Sequence, residues 1–230
     1  MIKKYIAFLR GINVGGNNKV EMSKLILTSS VHAVANDIAK KLNLTTKNKL
    51  VFITTAAEAV TGDMSWLEND RNSLINAGFM VTNYTITGKN YDQLRTDLAN
   101  YDYIYVSGGN APYLLEQSFK SGFNVLIKEL VNKDGKIYIG TSAGSILAGP
   151  KCPEYLYDDG KLPDEINQLS YNFVNFTVLP HWGSVHFKNR YLGERLEIAY
   201  KEKQVPLLLL TDTQYVVVEN DKFVIITVDK

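Results

Sequence analysis

Short apolar runs alternate with helically spaced segments through the first two thirds of the chain. Residues 50–53 (LVFI), 103–106 (YIYV) and 136–139 (KIYI) form β-rich runs that are almost continuously apolar. Between these runs, apolar residues recur at the three- and four-residue spacing of one helix face. Strands that are apolar on both sides are typical of a parallel sheet with helices on both faces. The alternation therefore predicts an α/β fold, a three-layer sandwich whose mostly parallel sheet is covered by helices.

The carboxyl-terminal part of the chain has a different pattern. Residues 207–210, 215–218 and 223–227 read as strands separated by short gaps. Gaps this short favour neighbouring antiparallel strands, since parallel connections need a longer crossover. We therefore predict an antiparallel edge or hairpin in this region.

The first helix is predicted from its start signal. Ser29 or Ser30 follows a β-rich run and precedes apolar residues at helical spacing, which continue to Leu42. Serine is a preferred residue at the amino cap of a helix. We expect one of the two serines to cap a helix that ends at Leu42.

Charge and cysteine content narrow the class of partners. Lys and Arg total 25 and Asp and Glu total 24, so the formal net charge is +1 and gives no sign of nucleic-acid or anionic-membrane binding. The chain has a single cysteine, Cys152, which fits a reducing compartment. Its apolar runs are far shorter than the ~20 residues that span a bilayer. We predict a cytoplasmic protein with neither nucleic-acid nor membrane partners.

A candidate nucleophile lies in the motif G-T-S-A-G at residues 140–144. The motif follows a predicted strand and precedes a helix-like run, which is the context of a nucleophile elbow. A sharp strand-to-helix turn strains the central residue and needs small neighbours. It would expose the hydroxyl of Ser142 and aim the backbone N–H of Ala143 at an oxyanion.

A second turn, S-G-G-N at residues 107–110, also follows a predicted strand and precedes a helix. Ligand sites of open α/β sheets form at the carboxyl ends of strands. Two glycines let a substrate approach the backbone closely, and their N–H groups would supply the other half of an oxyanion hole. An ordinary strand-to-helix turn is the alternative for this segment taken alone.

A serine nucleophile needs a base, and the chain has three histidines. His181 follows a strand-like run and precedes Trp182, so it fits a base in a partly dry pocket. His186 is the second choice, and His32 reads as a structural or exposed residue. Packing of His181 against aromatic side chains is the non-catalytic alternative.

The residues alone leave open which carboxylate would orient the histidine. Asp158, Asp159 and Glu154 lie in a long, proline-rich irregular segment, and Asp164 and Glu165 follow them. Long loops in compact domains are often functional. Metal and nucleotide chemistry is not indicated, because no cluster has metal-ligand spacing and the glycine-rich residues 11–19 lack the phosphate-loop ending.

The three motifs S-G-G-N, G-T-S-A-G and L-P-H-W, in this order, resemble the peptidase E (aspartyl dipeptidase) family of serine peptidases, which are relatives of cyanophycinase. The resemblance runs from about Met22 to the carboxyl end. It implies a fold like that of class I glutamine amidotransferases, a Ser-His-Asp/Glu arrangement, and neither a metal nor a cofactor.

Carried over by position, the resemblance makes Ser142 the nucleophile and His181 the base. It places Gly109 in the oxyanion hole beside Ala143. The family's acid follows the serine by about 15–17 residues, so Asp159 is the predicted third member and Asp158 the alternate. Three further residues within these motifs are predicted to bind substrate: Gly108, Asn110 and Trp182.

The first 21 residues depart from the family pattern. They resemble the opening of a different bacterial family that is uncharacterised, and Met22 stands where a peptidase-like chain would start. We expect residues 1–21 to be an atypical leader, dispensable for catalysis. Residues 22–230 would then form a single catalytic domain.

The resemblance also suggests a substrate, a short peptide with an amino-terminal aspartate. Lys188 and Arg190 follow His181 and are candidate cations for that side chain, although solvated basic residues are the simpler interpretation. Two alternatives are a cyanophycinase-like hydrolase of β-linked aspartyl-arginine and a catalytically silent binding homologue. A homodimer is compatible with the sequence.

Overall fold

An eight-stranded sheet forms the centre of the protein in the computed structural model, which describes residues 4–8, 24–44, 48–156, 166, 170–202, 205–219 and 222–229. Five adjacent strands are parallel. In spatial order they are β2 (Lys24–Thr28), β6 (Ile137–Thr141), β5 (Tyr103–Val106), β3 (Lys49–Ile53) and β4 (Met80–Tyr84).

Three antiparallel strands continue the sheet beyond β2. They are β9 (Gln214–Glu219), β10 (Lys222–Thr227) and, at the edge, β1 (Lys4–Phe8). A separate two-stranded parallel sheet pairs β7 (Thr177–Leu179) with β8 (Leu207–Leu209).

Helices connect the parallel strands and cover both faces of the sheet. Their bounds are α1 (Ala35–Leu42), α2 (Ser65–Asn76), α3 (Tyr91–Leu98), α4 (Ala111–Ser121), α5 (Phe123–Asn132), α6 (Ala143–Leu147) and α7 (Leu196–Glu202). Short 3₁₀ turns lie at Val31–Ala33, Thr55–Ala59 and Glu154–Leu156. A helical turn at Lys188–Arg190 and a π-helical turn at Tyr191–Arg195 lead into α7.

Alternate residues of the central strands enter two different cores. Val51 and Ile104 pack into one cluster with α3, α4 and α5, whereas Phe52 and Tyr105 pack into a second cluster with α1 and α2. All four side chains are fully buried. The continuous apolar runs therefore reflect a sheet buried on both faces, and the predicted three-layer α/β fold is confirmed.

The carboxyl-terminal strands only partly follow the prediction. β9 and β10 form the expected antiparallel hairpin next to β2. β8 does not join it, because its backbone pairs in parallel with β7 and Leu210 continues that pairing to Leu179. A turn closed by the Gln214 N–H donating to the Thr211 carbonyl then redirects the chain into β9.

The first helix starts later than predicted. A 3₁₀ turn at Val31–Ala33 precedes α1, and neither helical segment has a side-chain cap. Leu42 is the last residue of α1, as expected. The prediction of a serine cap is wrong, because the hydroxyls of Ser29 and Ser30 bond to acidic and histidine side chains instead.

Part of the predicted leader contributes to the sheet. The backbone of β1 pairs antiparallel with β10 along its whole length, from Lys4 opposite Ile226 to Phe8 opposite Lys222. Residues 9–23 lie outside the described part of the chain. The division at Met22 and the dispensability of residues 1–21 remain predictions.

Candidate active site

The candidate site lies where the parallel strands β2, β5 and β6 end at their carboxyl edge. Ser29 directly follows β2, the S-G-G-N turn follows β5, and Ser142 follows β6. The Ser142 N–H donates to the Thr28 carbonyl, which ties the turn after β6 to the end of β2. Parallel pairing thus brings together segments that are far apart in sequence.

Ser142 occupies a strained turn between β6 and α6. Its φ is 47° and its ψ is −107°, a backbone conformation that residues with a side chain rarely adopt. The neighbouring glycines have no space for a side chain. A Cβ at Gly140 would lie 2.8 Å from the Gly144 carbonyl carbon, and one at Gly144 would lie 2.3 Å from the Val106 carbonyl oxygen. The predicted need for small residues around the serine therefore has a steric cause.

This strain predicts different stabilities for two inactive variants. Ser142→Gly should be more stable than Ser142→Ala by about 1 kcal/mol, since glycine adopts positive φ without steric cost whereas alanine retains the strained Cβ. Urea unfolding of the two proteins measures the difference. Ser73, inside α2, provides the matched control, where glycine should be less stable than alanine. Equal effects at both positions would contradict the strain at Ser142.

A hydrogen-bonded chain of three side chains includes the two predicted catalytic residues. His181 Nε2 lies 3.1 Å from Ser142 Oγ, and His181 Nδ1 lies 2.8 Å from Asp212 Oδ1. With Nδ1 donating to the carboxylate, Nε2 is the acceptor for the serine proton. This is the relative arrangement of a nucleophile, a base and an orienting acid.

Ser29 holds both the acid and the histidine. Its hydroxyl donates to Asp212 Oδ1 over 2.8 Å and accepts the backbone N–H of His181 over 2.6 Å. His181 has a φ of 59°, so this bond fixes an unusual backbone turn at the candidate base. The serine predicted to cap a helix is therefore a support of the site.

Asp212 is held in its charged form. Burial alone would raise its pKa, but hydrogen bonds from His181 and Ser29 and the charges of His181 and His32 lower it below the usual aspartate value. Its oxygen Oδ1 accepts both hydrogen bonds. The carboxylate is thus available to orient the imidazole at neutral pH.

The acidic residues that the sequence offered as partners of His181 do not include Asp212. Asp158 and Asp159, with Asp164 and Glu165, lie outside the described residues, and Glu154 belongs to a 3₁₀ turn. Sequence reasoning missed Asp212, which follows the apolar strand β8 in a turn. The available signal was its position at the end of a strand, where α/β sites form.

Aromatic packing also supports His181. The Phe187 ring stacks on the imidazole with centroids 4.4 Å apart and planes 15° apart, and the Tyr191 ring stacks on Phe187 with centroids 5.9 Å apart. The Tyr191 hydroxyl donates to the Pro180 carbonyl over 2.6 Å. The imidazole is therefore fixed by hydrogen bonds at its edge and by a ring on its face.

The predicted oxyanion residues belong to the turns that follow β6 and β5. Ala143 begins α6, so its N–H belongs to the first helical turn, where backbone N–H groups lack intrahelical acceptors. Gly108 packs against Ser142, since a Cβ there would lie 3.2 Å from Ser142 Cβ. Gly109 has a φ of 131° and lies against the Ala56 carbonyl, which leaves no space for a Cβ.

The other predicted binding residues lie in the segments that follow β5 and β7. Asn110 Oδ1 accepts the Tyr113 N–H and caps α4. Trp182 is half-buried and lines a cavity of about 320 Å³, together with Lys188 and Tyr191. Arg190 is exposed, with its guanidinium 6.0 Å from the centre of the Phe187 ring.

Of the remaining histidines, His186 is exposed and His32 lies beside the site. His32 Nδ1 is 2.8 Å from Ser30 Oγ and 3.5 Å from Asp70 Oδ1. The hydrogen bond with Asp70 raises the pKa of His32 against the opposing effect of burial, and the charge of Asp212 acts in the same direction as Asp70. His32 thus lies outside the chain of Ser142, His181 and Asp212, but its charge helps to lower the pKa of the candidate acid.

Metal-ligand clusters and membrane-spanning helices are two further features that bear on function. Among the residues that the structure describes, no group of His, Cys, Asp or Glu side chains is arranged to hold a metal ion. Within the same ranges, no helix combines the length and apolar character needed to cross a membrane.

Comparison with known proteins identifies the family. A family model described as peptidase family S51 matches residues 22–226, nearly the whole chain. The chain belongs to peptidase family S51. The resemblance of the three sequence motifs to peptidase E is thereby confirmed, and family membership supports a serine peptidase. The start of the match coincides with Met22, where the sequence pattern changes.

Relatives of this S51 peptidase cover most of its length. An uncharacterized peptidase of Listeria monocytogenes is 30% identical over 73% of the chain and 82% of its own length. One from Pasteurella multocida is 27% identical over 89% and 97%. Peptidase E of Streptomyces coelicolor is 30% identical over 54% of the chain and 51% of its own length.

A solved structure shares the fold. The crystal structure of a protein described as a candidate peptidase E from Listeria monocytogenes is 26% identical to this chain and superposes with a TM-score of 0.77. The superposition covers 90% of this chain and all of the other. The mostly parallel sheet with antiparallel carboxyl-terminal strands is thus a fold that this family uses.

Proposed function

We propose that this S51 peptidase is a dipeptidase that hydrolyses short peptides and prefers an amino-terminal aspartate. Ser142 is the nucleophile and His181 the general base. The observation that carries the proposal is the 3.1 Å contact between His181 Nε2 and Ser142 Oγ, made by a serine on a strained elbow. A serine hydroxyl needs such an adjacent base to act as a nucleophile.

The orienting acid in this proposal is Asp212. Its support is the 2.8 Å bond to His181 Nδ1, the lowered pKa of the carboxylate and the second hydrogen bond from Ser29. Asp159 and its alternate Asp158 remain the acids predicted from the sequence. Variants of Asp212 and Asp159 distinguish the two assignments.

The first chemical step is attack on the peptide carbonyl. Ser142 Oγ forms a bond to the carbonyl carbon while its proton moves to His181 Nε2. Backbone N–H groups of Gly109 and Ala143 stabilise the negative oxygen of the tetrahedral intermediate. Asp212 keeps the imidazole in the required tautomer and stabilises the imidazolium that forms.

The second half of the reaction releases both products. The imidazolium of His181 gives its proton to the leaving amine as the C–N bond breaks, which leaves an acyl ester on Ser142. Water then attacks the ester with His181 again as the base, and Ser142 is regenerated. This mechanism needs neither a metal nor an organic cofactor.

The preference for aspartate rests on the resemblance to aspartyl dipeptidases. A pocket for an acidic side chain needs a cation, and Lys188 and Arg190 are both exposed close to the turn that follows His181. Lys188 also lines the cavity beside Trp182. Each is a candidate for contacting the acidic side chain.

The compartment and the partners of the enzyme are part of the same proposal. We propose a cytoplasmic enzyme that takes small peptides, with no nucleic-acid or membrane partner. The chain has one cysteine, the buried Cys152, and a single cysteine fits a reducing compartment. A homodimer is compatible with the proposal, and sedimentation measures it directly.

A panel of dipeptides tests the proposed function. The panel contains Asp-Leu, Glu-Leu, Asn-Leu, Leu-Leu and β-Asp-Leu, and Ser142→Ala protein is the blank. A kcat/KM for Asp-Leu well above that for every other peptide, with no hydrolysis in the blank, is the expected result. Release of leucine, measured by liquid chromatography, gives kcat/KM for each peptide.

Other outcomes point to the alternative functions. Serine-dependent cleavage of a different set of peptides would keep the chemistry and reject the preference for aspartate. Cleavage of β-linked aspartyl-arginine, assayed beside the panel, in place of Asp-Leu would favour a cyanophycinase-like hydrolase. A wild-type protein that cleaves none of these peptides, yet binds them, would be a binding homologue on a peptidase fold.

A further inference from the structure

Trp66 is an aromatic side chain beside the nucleophile that the proposed mechanism does not use. The position of the missing Gly108 Cβ locates it: this point lies 3.7 Å from Trp66 Cζ3 and 3.8 Å from Ser142 Oγ. The indole and the serine hydroxyl therefore border the same small space above Gly108. Trp66 is half-buried, so part of the ring is accessible.

The amino end of α2 is fixed at this place. The Asp63 carboxylate accepts both the backbone N–H and the hydroxyl of Ser65, each over 2.8 Å. One turn after Trp66, the buried Asp70 accepts the Tyr105 hydroxyl over 2.9 Å. Residues four apart share a helix face. Trp66 and Asp70 thus lie on the same face of α2, towards the end of β5.

The proposed mechanism places each group around the reacting carbonyl carbon, and this placement assigns the space to one part of the substrate. The leaving amine lies at His181 Nε2, because that nitrogen protonates it, and the oxyanion lies at the N–H groups of Gly109 and Ala143. The Cα of the acyl residue takes the remaining direction from the carbonyl carbon. Trp66 borders Gly108, whereas the aromatic neighbour of His181 is Phe187, so the space beside the indole is assigned to the acyl residue and not to the leaving amine.

We propose that Trp66 is a wall of the subsite for the amino-terminal residue and limits the size of the side chain accepted there. The proposal rests on the proposed peptidase function and concerns the same site. The indole carries no charge, so it sets length and bulk rather than the preference for an acid. Side chains of the size of alanine, asparagine and aspartate fit below it, and leucine and phenylalanine meet the ring.

A substrate series with one leaving residue tests this wall. We compare Asp-Leu, Ala-Leu, Leu-Leu and Phe-Leu in wild type, Trp66→Ala and Trp66→Phe. Trp66→Ala is expected to raise kcat/KM for Phe-Leu relative to Ala-Leu by about 10–100-fold, within the range that one methylene group gives in an apolar pocket. Trp66→Phe should retain most of the wild-type order, and the exposed Tyr200→Ala should retain all of it.

A second series checks the assignment to the acyl side. The ratio among Asp-Ala, Asp-Leu and Asp-Phe should be the same in wild type and Trp66→Ala, because these peptides differ only in the leaving residue. An unchanged Phe-Leu to Ala-Leu ratio, or a change confined to the leaving-residue series, would overturn the proposal. Selectivity ratios are insensitive to the amount of folded enzyme, so loss of stability alone cannot imitate the expected result.

Binding separates this proposal from the function on which it rests. In a Ser142→Ala background, calorimetry with Ala-Leu and Phe-Leu should show the same shift in relative affinity when Trp66 is replaced by alanine. Wild-type protein without Ser142-dependent hydrolysis would reject the proposed function. An unchanged affinity ratio in the same background would reject the role of Trp66.

Discussion

Ser142→Ala is expected to lower kcat for the preferred dipeptide by about 10⁶-fold, the scale of nucleophile removal in other serine peptidases. Oγ is the atom that forms the acyl bond and gives its proton to His181 Nε2, 3.1 Å away. Alanine keeps the Cβ that packs against Gly108, so the elbow remains filled. Initial rates and circular dichroism on the same samples measure the loss and confirm that the fold is intact.

The His181→Ala variant shows whether Ser142 and His181 act as a unit. His181→Ala should be almost as inactive as Ser142→Ala, and the double variant should lose little more, because a nucleophile without its base is already disabled. Ser73→Ala, on α2 away from the elbow, is the matched control and should keep its kcat. Peptide hydrolysis that persists in purified Ser142→Ala would reject Ser142 as the nucleophile.

The sheet and the elbow could be predicted because local patterns determine them. A strand such as Leu-Val-Phe-Ile in β3 has to be buried on both faces, and two core clusters indeed receive its alternate residues. The elbow has a similarly local cause, since Gly140 and Gly144 are required by contacts within the turn and with β5. Steric requirements of this kind are visible in a few consecutive residues.

The supports of the histidine could not be predicted in this way. Asp212 and Ser29 meet His181 only because β9 pairs with β2, which brings the turn before β9 to the end of β2. An isolated aspartate in a turn carries no pattern of its own. Ser29 was misleading for the same reason, because a serine before a helix resembles a cap until its actual partner is known.

The proposed role of Trp66 could not be predicted from the sequence either. In sequence, Trp66 is one apolar residue among those at helical spacing, which predicts a buried core position. In the structure α2 is fixed by Asp63 at its start and by Asp70 one turn later, so the ring lies over Gly108 instead. Its role depends on where the helix begins, and helix boundaries are weakly specified by periodicity.

Asp212→Ala is expected to lower kcat by about 10⁴-fold, the scale of losing the orienting acid of a serine peptidase triad. Without the carboxylate, His181 Nδ1 loses its 2.8 Å partner, and the imidazole is free to adopt the tautomer that cannot accept the serine proton. The acidic charge that stabilises the imidazolium is lost as well. Single-turnover and steady-state rates measure the effect, and thermal unfolding checks that the variant is folded.

Asp212→Asn should lose less activity than Asp212→Ala, because a single oxygen, Oδ1, accepts both the His181 and the Ser29 hydrogen bonds. An amide oxygen in the same position still accepts both, so the tautomer is retained and only the charge is lost. Asp159→Ala is the matched control and should leave kcat unchanged if Asp212 is the orienting acid. Full activity of Asp212→Ala together with an inactive Asp159→Ala would instead assign that role to the loop acid predicted from the sequence.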